Sequence, residues 1–137
     1  MTTDDIVIVA AARTPQGRLK GQLSALTAVQ LGSAAIKGAL ERGGVPADAV
    51  DAVLVGQVLA AGAGQNPARQ AAVGAGIPWH VHSGSVNKVC LSGLTAIIDA
   101  ARMLRVGDAK VVVAAGMESM SRAPHLLTGS REGWTYG

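Results

Sequence analysis

Cys90 is the single cysteine in a chain of 137 residues, and it stands where an apolar run gives way to a helical pattern. A thiol near the first turn of a helix lies beside N–H groups without partners in the helix and beside the positive end of the helix dipole. Both features stabilise an anionic sulfur, and the same N–H groups can hold the oxyanion that forms when sulfur attacks a carbonyl. The position therefore fits a cysteine nucleophile.

A packing role for Cys90 fits its position as well, because free cysteine is among the most frequently buried residue types. A nucleophilic thiol also needs a base, and the candidates are His80, His82 and His125. Their spacing assigns none of them to Cys90. From position alone, the nucleophile and the packing residue remain alternatives.

His80 and His82 are separated by one residue in a segment with a weak strand pattern, residues 79–87. In a strand, two such imidazoles lie on the same face, as a pair of metal ligands would. No third ligand candidate is close in sequence, and an edge strand accounts for the two histidines equally well. We therefore predict no metal site.

Segments with strand patterns alternate along the chain with segments of helical spacing. The predicted strands are residues 5–14, 50–59, 79–87 and 109–117, and the predicted helices are residues 27–42, a short helix that starts at Pro67 with Asn66 as N-cap, and residues 90–105. This alternation predicts right-handed crossovers and a three-layer α/β sheet. We expect residues 109–117 to form a central strand, and the helix at residues 90–105 to be buried on most sides.

The composition favours the same fold class and excludes several functions. Hydrophobic residues make up 49% of the chain but aromatic residues only 2%, so the core is built from small aliphatic side chains, which suit helices lying flat on a sheet. The net charge is +3, and the basic residues are scattered, unlike the basic stripe of a nucleic-acid-binding protein. No apolar run reaches the length of about 18 residues of a membrane span. With one cysteine and no leader pattern, we expect a soluble cytoplasmic protein that binds neither nucleic acid nor membranes.

Two dense motifs carry a family resemblance. "NKVCLSGLTAI" at residues 87–97 closely resembles the acyl-enzyme cysteine motif of the thiolases, and "AAGMESMSRAPHLL" at residues 114–127 is similar to a second stretch by which that family is recognised. Residues 7–32 and 53–78 resemble the same family in the same order. The resemblance thus covers essentially the whole chain.

What the resemblance implies is a thiolase fold and an acetyl-CoA C-acetyltransferase. Cys90 would take an acetyl group from acetyl-CoA as a thioester, and a second acetyl-CoA would attack it to give acetoacetyl-CoA, or free CoA would carry out the reverse thiolysis. The CoA thioester is then the substrate, and no cofactor is expected. The implied partners are acyl-CoA or CoA, the remainder of a thiolase chain, and further copies in a homodimer or homotetramer.

The resemblance also implies that this chain is the N-terminal portion of a longer enzyme. Thiolases consist of two similar halves, and the later half supplies the histidine that activates the nucleophile and a second cysteine. Neither the Gly-His-Pro nor the Cys-x-Gly-x-Gly stretch occurs here. We therefore expect residues 1–120 to form the N-terminal half-domain with four of its five strands, residues 121–137 to begin the loop domain, and the fragment alone to be inactive. His125 is rejected as the base for the same reason.

Two alternatives compete with this interpretation. A ketoacyl-synthase type of condensing enzyme would share the fold and the cysteine, but the "GMESMS" stretch favours a thiolase. A non-catalytic thiolase-like subunit that binds acyl-CoA or acts as a scaffold is disfavoured by the intact motif around Cys90. For Glu118, in the second motif, hydrogen bonding to loop amides is the preferred role, and Lys88 is predicted to be an exposed loop residue.

Overall fold

A computed structural model describes residues 5–136 of the chain. The elements in chain order are α1 (Ala28–Gly43), β1 (Ala52–Gly56), α2 (Pro67–Gly74), β2 (His82–Val86), α3 (Ser92–Val106) and β3 (Val112–Gly116), with short 3-10 helices at Ala47–Ala49, Met120–Arg122 and Ser130–Glu132. The strands are all parallel and lie in the order β2-β1-β3.

Helix boundaries follow the local sequence signals. Thr27 caps α1 in a capping box with Gln30, and Asn66 caps α2 through the N–H of Arg69, with Pro67 in the first turn. Gly107, with φ 82°, ends α3 in the left-handed conformation that glycine adopts freely. The predicted start of α2 and the predicted ends of α1 and α3 are confirmed to within one residue.

Helices cover both faces of the sheet. Val53 and Val55 of β1 belong to one apolar cluster with residues of α1 and α2, such as Ile36, whereas Leu54 points to the opposite face and packs with Ala96 of α3. Alternate residues of a strand lie on opposite faces, so β1 is buried throughout. The predicted three-layer α/β architecture is confirmed.

The central strand of the described sheet is β1, and β3 lies at its edge. The prediction that residues 109–117 are central is therefore wrong. Both β2 and β3 pair with β1, in a register that places Gly56 opposite Val86 on one side and opposite Gly116 on the other. The residues of β3 are half-buried or exposed, whereas every residue of β1 is buried, which is the difference expected between an edge and a centre.

The predicted strand at residues 5–14 is absent from the described sheet. Ile8 is 84% exposed and Val9 68%, and the segment runs beside α1, where the guanidinium of Arg42 donates to the carbonyl of Ala11 at 3.2 Å. The residues have strand-forming side chains, but they pair neither with the free edge of β2 nor with that of β3. Among residues 5–136 the sheet thus has three strands where four were predicted.

Helix α3 contacts the sheet through its small side chains. Ser92, Ala96 and Ala100 are buried, whereas Leu94 is 54% and Ile97 50% exposed, so the prediction of a helix buried on most sides is wrong. A helix can lie close to a strand only where side chains are small. The larger residues are thereby left on the far side of the helix.

No helix among residues 5–136 is long and apolar enough to cross a membrane. The proposed division at residues 120 and 121 stays a prediction, since the chain beyond β3 has only the two short 3-10 helices as regular structure.

Candidate active site

Three loops meet at the carboxyl ends of the three parallel strands, the edge of an α/β sheet where binding sites usually form. They follow Gly56, Val86 and Gly116. Backbone hydrogen bonds continue past the strands and join them: the N–H of Gln57 donates to Val86 at 3.0 Å, and the N–H of Met117 donates to Gly56 at 3.0 Å.

Cys90 lies in the loop between β2 and α3, and its side chain is exposed. Leu91 is the N-cap and Ser92 the first residue of α3, so Cys90 precedes the helix by two residues instead of lying in its first turn. This corrects the predicted helix start at residue 90. The thiol is nonetheless at the amino end of the helix, and the structure excludes a fully buried packing role for it among the described residues.

A cavity of about 710 Å³ lies at Cys90. We call it the Cys90 cavity: its walls are the carboxyl ends of β1 and β3, the start of α3, and residues 12–19 of the chain before α1. This size is within the range of about 300–1,000 Å³ that is typical of small-molecule sites. An exposed thiol, a helix amino end and a cavity therefore coincide at the strand ends.

Close backbone approach allows α3 to begin directly at the strand ends. A Cβ added to Gly56 would lie 2.4 Å from the backbone N of Gly93 and 2.4 Å from the backbone C of Ser92. The Cα atoms of Gly93 and Gly116 are also close, since a Cβ on Gly116 would lie 3.6 Å from the Cα of Gly93. The distance between helix and sheet therefore requires glycine at position 56, whereas the 3.6 Å at position 116 is an ordinary van der Waals distance.

Glu118 fastens the loop that follows β1. Its Oε2 accepts a hydrogen bond from the N–H of Val58 at 2.9 Å, and its Oε1 accepts one from the N–H of Leu59 at 3.1 Å. The prediction that this carboxylate satisfies loop amides is confirmed. Glu118 also lines the Cys90 cavity. Since both of its carboxylate oxygens accept hydrogen bonds from loop amides, its side chain is held in one position there.

Gln57 is a buried polar residue in the cavity wall that the sequence did not single out. Its side chain is 3% exposed, and its Nε2 donates to the carbonyl of Leu59 at 3.3 Å. Its Oε1 is buried and has no hydrogen-bond partner among the described protein atoms. Its position directly after a buried strand is the sequence feature that could have identified Gln57 as a residue of the site.

The three histidines lie away from the thiol. His82 is the first residue of β2 and His80 precedes that strand, so both are at the end of the sheet opposite Cys90. His125 is exposed and lies near the end of the second motif. None of the three lines the Cys90 cavity, and within residues 5–136 no group of three or more His, Cys, Asp or Glu could hold a metal ion.

A parallel α/β sheet with a thiol at its carboxyl edge, beside a helix amino end and a cavity, defines a class of α/β proteins suited to acyl transfer through sulfur. The sequence matches the family model described as "Thiolase, N-terminal domain" over residues 6–137, and the chain belongs to the thiolase family.

Similar proteins bear names from the same family. The chain is 58% identical over 131 residues to a "Probable acetyl-CoA acetyltransferase" of Mycolicibacterium smegmatis, a match that covers 96% of this chain and 34% of that protein. It is 54% identical to the "Acetyl-CoA acetyltransferase" of Cupriavidus necator, over 97% of this chain and 34% of that protein. It is 48% identical to the "Acetyl-CoA acetyltransferase, mitochondrial" of Danio rerio, over 98% of this chain and 31% of that protein. The chain thus spans about a third of the length of these relatives.

Proposed function

We propose that the protein to which this chain belongs is an acetyl-CoA acetyltransferase with Cys90 as its nucleophile. The observation that carries this proposal is the exposed thiol at the amino end of α3, facing a cavity at the carboxyl edge of the sheet. Membership of the thiolase family and the names of the relatives support acetyl-CoA as the substrate.

The proposed reaction has two steps: acetylation of the Cys90 sulfur, and transfer of the acetyl group from that sulfur to a second acetyl-CoA. The Cys90 thiolate attacks the thioester carbonyl of acetyl-CoA, the bond from that carbon to the CoA sulfur breaks, and CoA leaves as a thiolate that takes up a proton. A second acetyl-CoA then loses a proton from its α-carbon to a base. The resulting carbanion attacks the acetyl group on Cys90, a C–C bond forms, the C–S bond breaks, and acetoacetyl-CoA is released with the thiolate restored.

The described residues supply the nucleophile and its surroundings in this scheme. The amino end of α3 presents N–H groups that can stabilise the oxyanion on the acetyl carbonyl. No histidine lines the Cys90 cavity in the part of the chain that the structure describes, and Glu118 is held by loop amides. The base is therefore assigned to the later part of the thiolase chain, as the family resemblance implies.

We also infer a cytoplasmic homodimer or homotetramer that uses no cofactor beyond its CoA thioester substrates. An exposed cysteine that reacts as a free thiol fits a reducing compartment. The oligomer follows from the family resemblance, and sedimentation of the purified whole protein tests it: a monomer at all concentrations would contradict it.

Mass spectrometry of the whole protein after incubation with acetyl-CoA tests the nucleophile. We expect one added acetyl group on the wild type, located at Cys90, and none on Cys90→Ser, because the hydroxyl is a far weaker nucleophile than the thiolate at neutral pH. Binding of acetyl-CoA by both proteins, measured by calorimetry, shows that the variant keeps its site. Equal binding with no acetyl group on either protein would support the non-catalytic subunit instead.

A further inference from the structure

The residue before the proposed nucleophile has an unusual backbone conformation. Val89 has φ 53°, in the left-handed region, where a β-branched residue is a genuine outlier. Its side chain is 66% exposed, so packing around that side chain does not hold it there. Strained conformations of this kind persist only where surrounding groups fix them, and they cluster at functional sites.

Hydrogen bonds from Ser92 enclose this turn. The hydroxyl of Ser92 accepts from the N–H of Lys88 at 2.9 Å and donates to the carbonyl of Val89 at 2.6 Å. The backbone N–H of Ser92 also donates to the Val89 carbonyl, at 3.1 Å. Ser92 is 4% exposed, so water does not compete for these bonds. One buried hydroxyl thus spans the backbone on both sides of the strained residue.

Asn87 supports the same turn from the other side and joins it to the strand ends. Its Oδ1 accepts from the N–H of Val89 at 3.1 Å, and its Nδ2 donates to the carbonyl of Val58 at 3.2 Å. Val58 in turn donates to Glu118. The turn before Cys90 is therefore linked to the loops after β1 and β3 by the side chains of Asn87 and Glu118, which both bond the backbone of Val58.

We propose that Ser92 is a positioning residue for acyl transfer: its hydroxyl, assisted by Asn87, holds Val89 in the left-handed conformation and so keeps the Cys90 thiol at the cavity. This inference rests on the proposed function, because positioning matters only if Cys90 reacts. Misplacing a reacting group by about 1 Å can cost a factor on the order of 100 in rate. A serine that only stabilised α3 would affect the unfolding temperature and not this rate.

The test measures the rate at which acetyl-CoA acetylates Cys90 in the whole protein, as a function of acetyl-CoA concentration. In Ser92→Ala we expect the maximal rate to fall by about tenfold or more while the half-saturating concentration stays unchanged, since substrate contacts are kept. In a Val89→Asn background the same substitution should cost only about threefold or less, because asparagine enters the left-handed region several-fold more readily than most residues.

Ser33→Ala is the matched control. The hydroxyl of Ser33 is half-buried and donates to the carbonyl of Val29 at 2.9 Å within α1, so its loss removes a similar hydrogen bond away from the cavity. We expect this variant to acetylate at the wild-type rate. Asn87→Ala disrupts the same turn at an exposed residue, so it does not unfold the core. We expect it to lower the acetylation rate less than Ser92→Ala does, and we expect this decrease to be smaller in the Val89→Asn background.

Two results would overturn the proposal. The first is a wild-type acetylation rate in both Ser92→Ala and Asn87→Ala. The second is a decrease in acetylation rate that is equally large in the wild-type and the Val89→Asn backgrounds. If the wild type itself takes up no acetyl group, the proposed function fails, and alkylation of Cys90 by iodoacetamide then tests positioning alone. Slower alkylation in Ser92→Ala, relieved by Val89→Asn, would support positioning, and equal rates would overturn it.

Discussion

Glu118 shows how much a single side chain fixes at the edge of this sheet. Its two carboxylate oxygens each accept a loop N–H, so the loop after β1 is held by a residue that follows β3, about 60 positions further along the chain. The sequence indicated this role, because a carboxylate at the end of a strand in an α/β protein commonly satisfies loop amides. Which amides it would accept could not be derived from the sequence.

Replacing Glu118 with Gln should destabilise the protein by about 1–3 kcal/mol, because one loop N–H then faces an NH₂ donor and the remaining bond loses its charge. Chemical denaturation with the wild type and the variant measures this difference. Glu41→Gln is the matched control: Glu41 is exposed and lies 4.0 Å from Lys37, so its loss should change stability by less than about 0.5 kcal/mol. Equal effects at the two positions would contradict the role assigned to Glu118.

Helix α3 contacts the sheet through glycine and alanine residues, and these small residues allow it to begin close to the carboxyl ends of the strands. Ala96 and Ala100 pack on Leu54, and Gly56 leaves room for the backbone of Ser92 and Gly93. Sequence periodicity placed the ends of α3 to within two residues but assigned its larger residues to the core. The distance between helix and sheet decides which face is inside, and that distance is a property of the packed elements.

A Gly56→Ala substitution should destabilise the fold by about 1–3 kcal/mol or more. The added Cβ would lie 2.4 Å from backbone atoms of Ser92 and Gly93, which can move away only if α3 moves. Under the proposed function the substitution should also slow acetylation of Cys90, because the thiol lies at the amino end of that helix. Thermal unfolding and the acetylation rate measure the two effects. Gly84→Ala is the control, since its Cβ would meet only Leu54 at 3.4 Å, and a comparable loss there would refute the explanation.

Asp51 fixes the opposite end of the sheet, where β1 and β3 begin. Its Oδ2 accepts from the N–H of Lys110 at 2.7 Å and of Val111 at 2.9 Å, and these two bonds, that of Lys110 first, lower the pKa of the Asp51 carboxyl below its ordinary value of 3.8. A carboxyl whose pKa is lowered by folding stabilises the folded state above its unfolded pKa. That contribution is lost as the pH falls through the folded pKa.

The difference in free energy of unfolding between wild type and Asp51→Asn should therefore be constant above about pH 5 and shrink on acidification below about pH 4. Urea denaturation at a series of pH values measures it. A difference that grows towards low pH would have the wrong sign for this account.

At the scale of the whole molecule, the cavity wall is assembled from parts of the chain that are far apart in sequence. The hydroxyl of Ser119 donates to the carbonyl of Leu26 at 2.7 Å, and the N–H of Lys20 donates to the hydroxyl of Ser121 at 2.8 Å. These bonds join the segment at residues 18–26 to the second motif. The serines of "MESMS" therefore hold the chain before α1 against the site.

Removing one of these bonds should loosen that wall. In Ser119→Ala we expect faster amide hydrogen exchange in residues 18–26, by about fivefold for a loss of about 1 kcal/mol, with the strands unaffected. Hydrogen exchange followed by mass spectrometry measures this. Ser130→Ala, in the exposed 3-10 helix near the end of the described chain, is the control. Unchanged exchange in residues 18–26 would show that the segment is held by other contacts.

The sequence by itself determined the α/β class, the helix N-cap at Asn66, the family, and Cys90 as the residue to examine, because these depend on local chemistry and on dense motifs. Only the tertiary structure decided that β1 is central, that residues 5–14 lie outside the described sheet, and that Ser92 and Asn87 enclose a strained turn before the thiol. Strand order depends on which distant segments pair, and the left-handed turn at Val89 depends on Ser92, which packing buries, and on Asn87, which bonds the distant Val58. Both are settled only when the elements pack together.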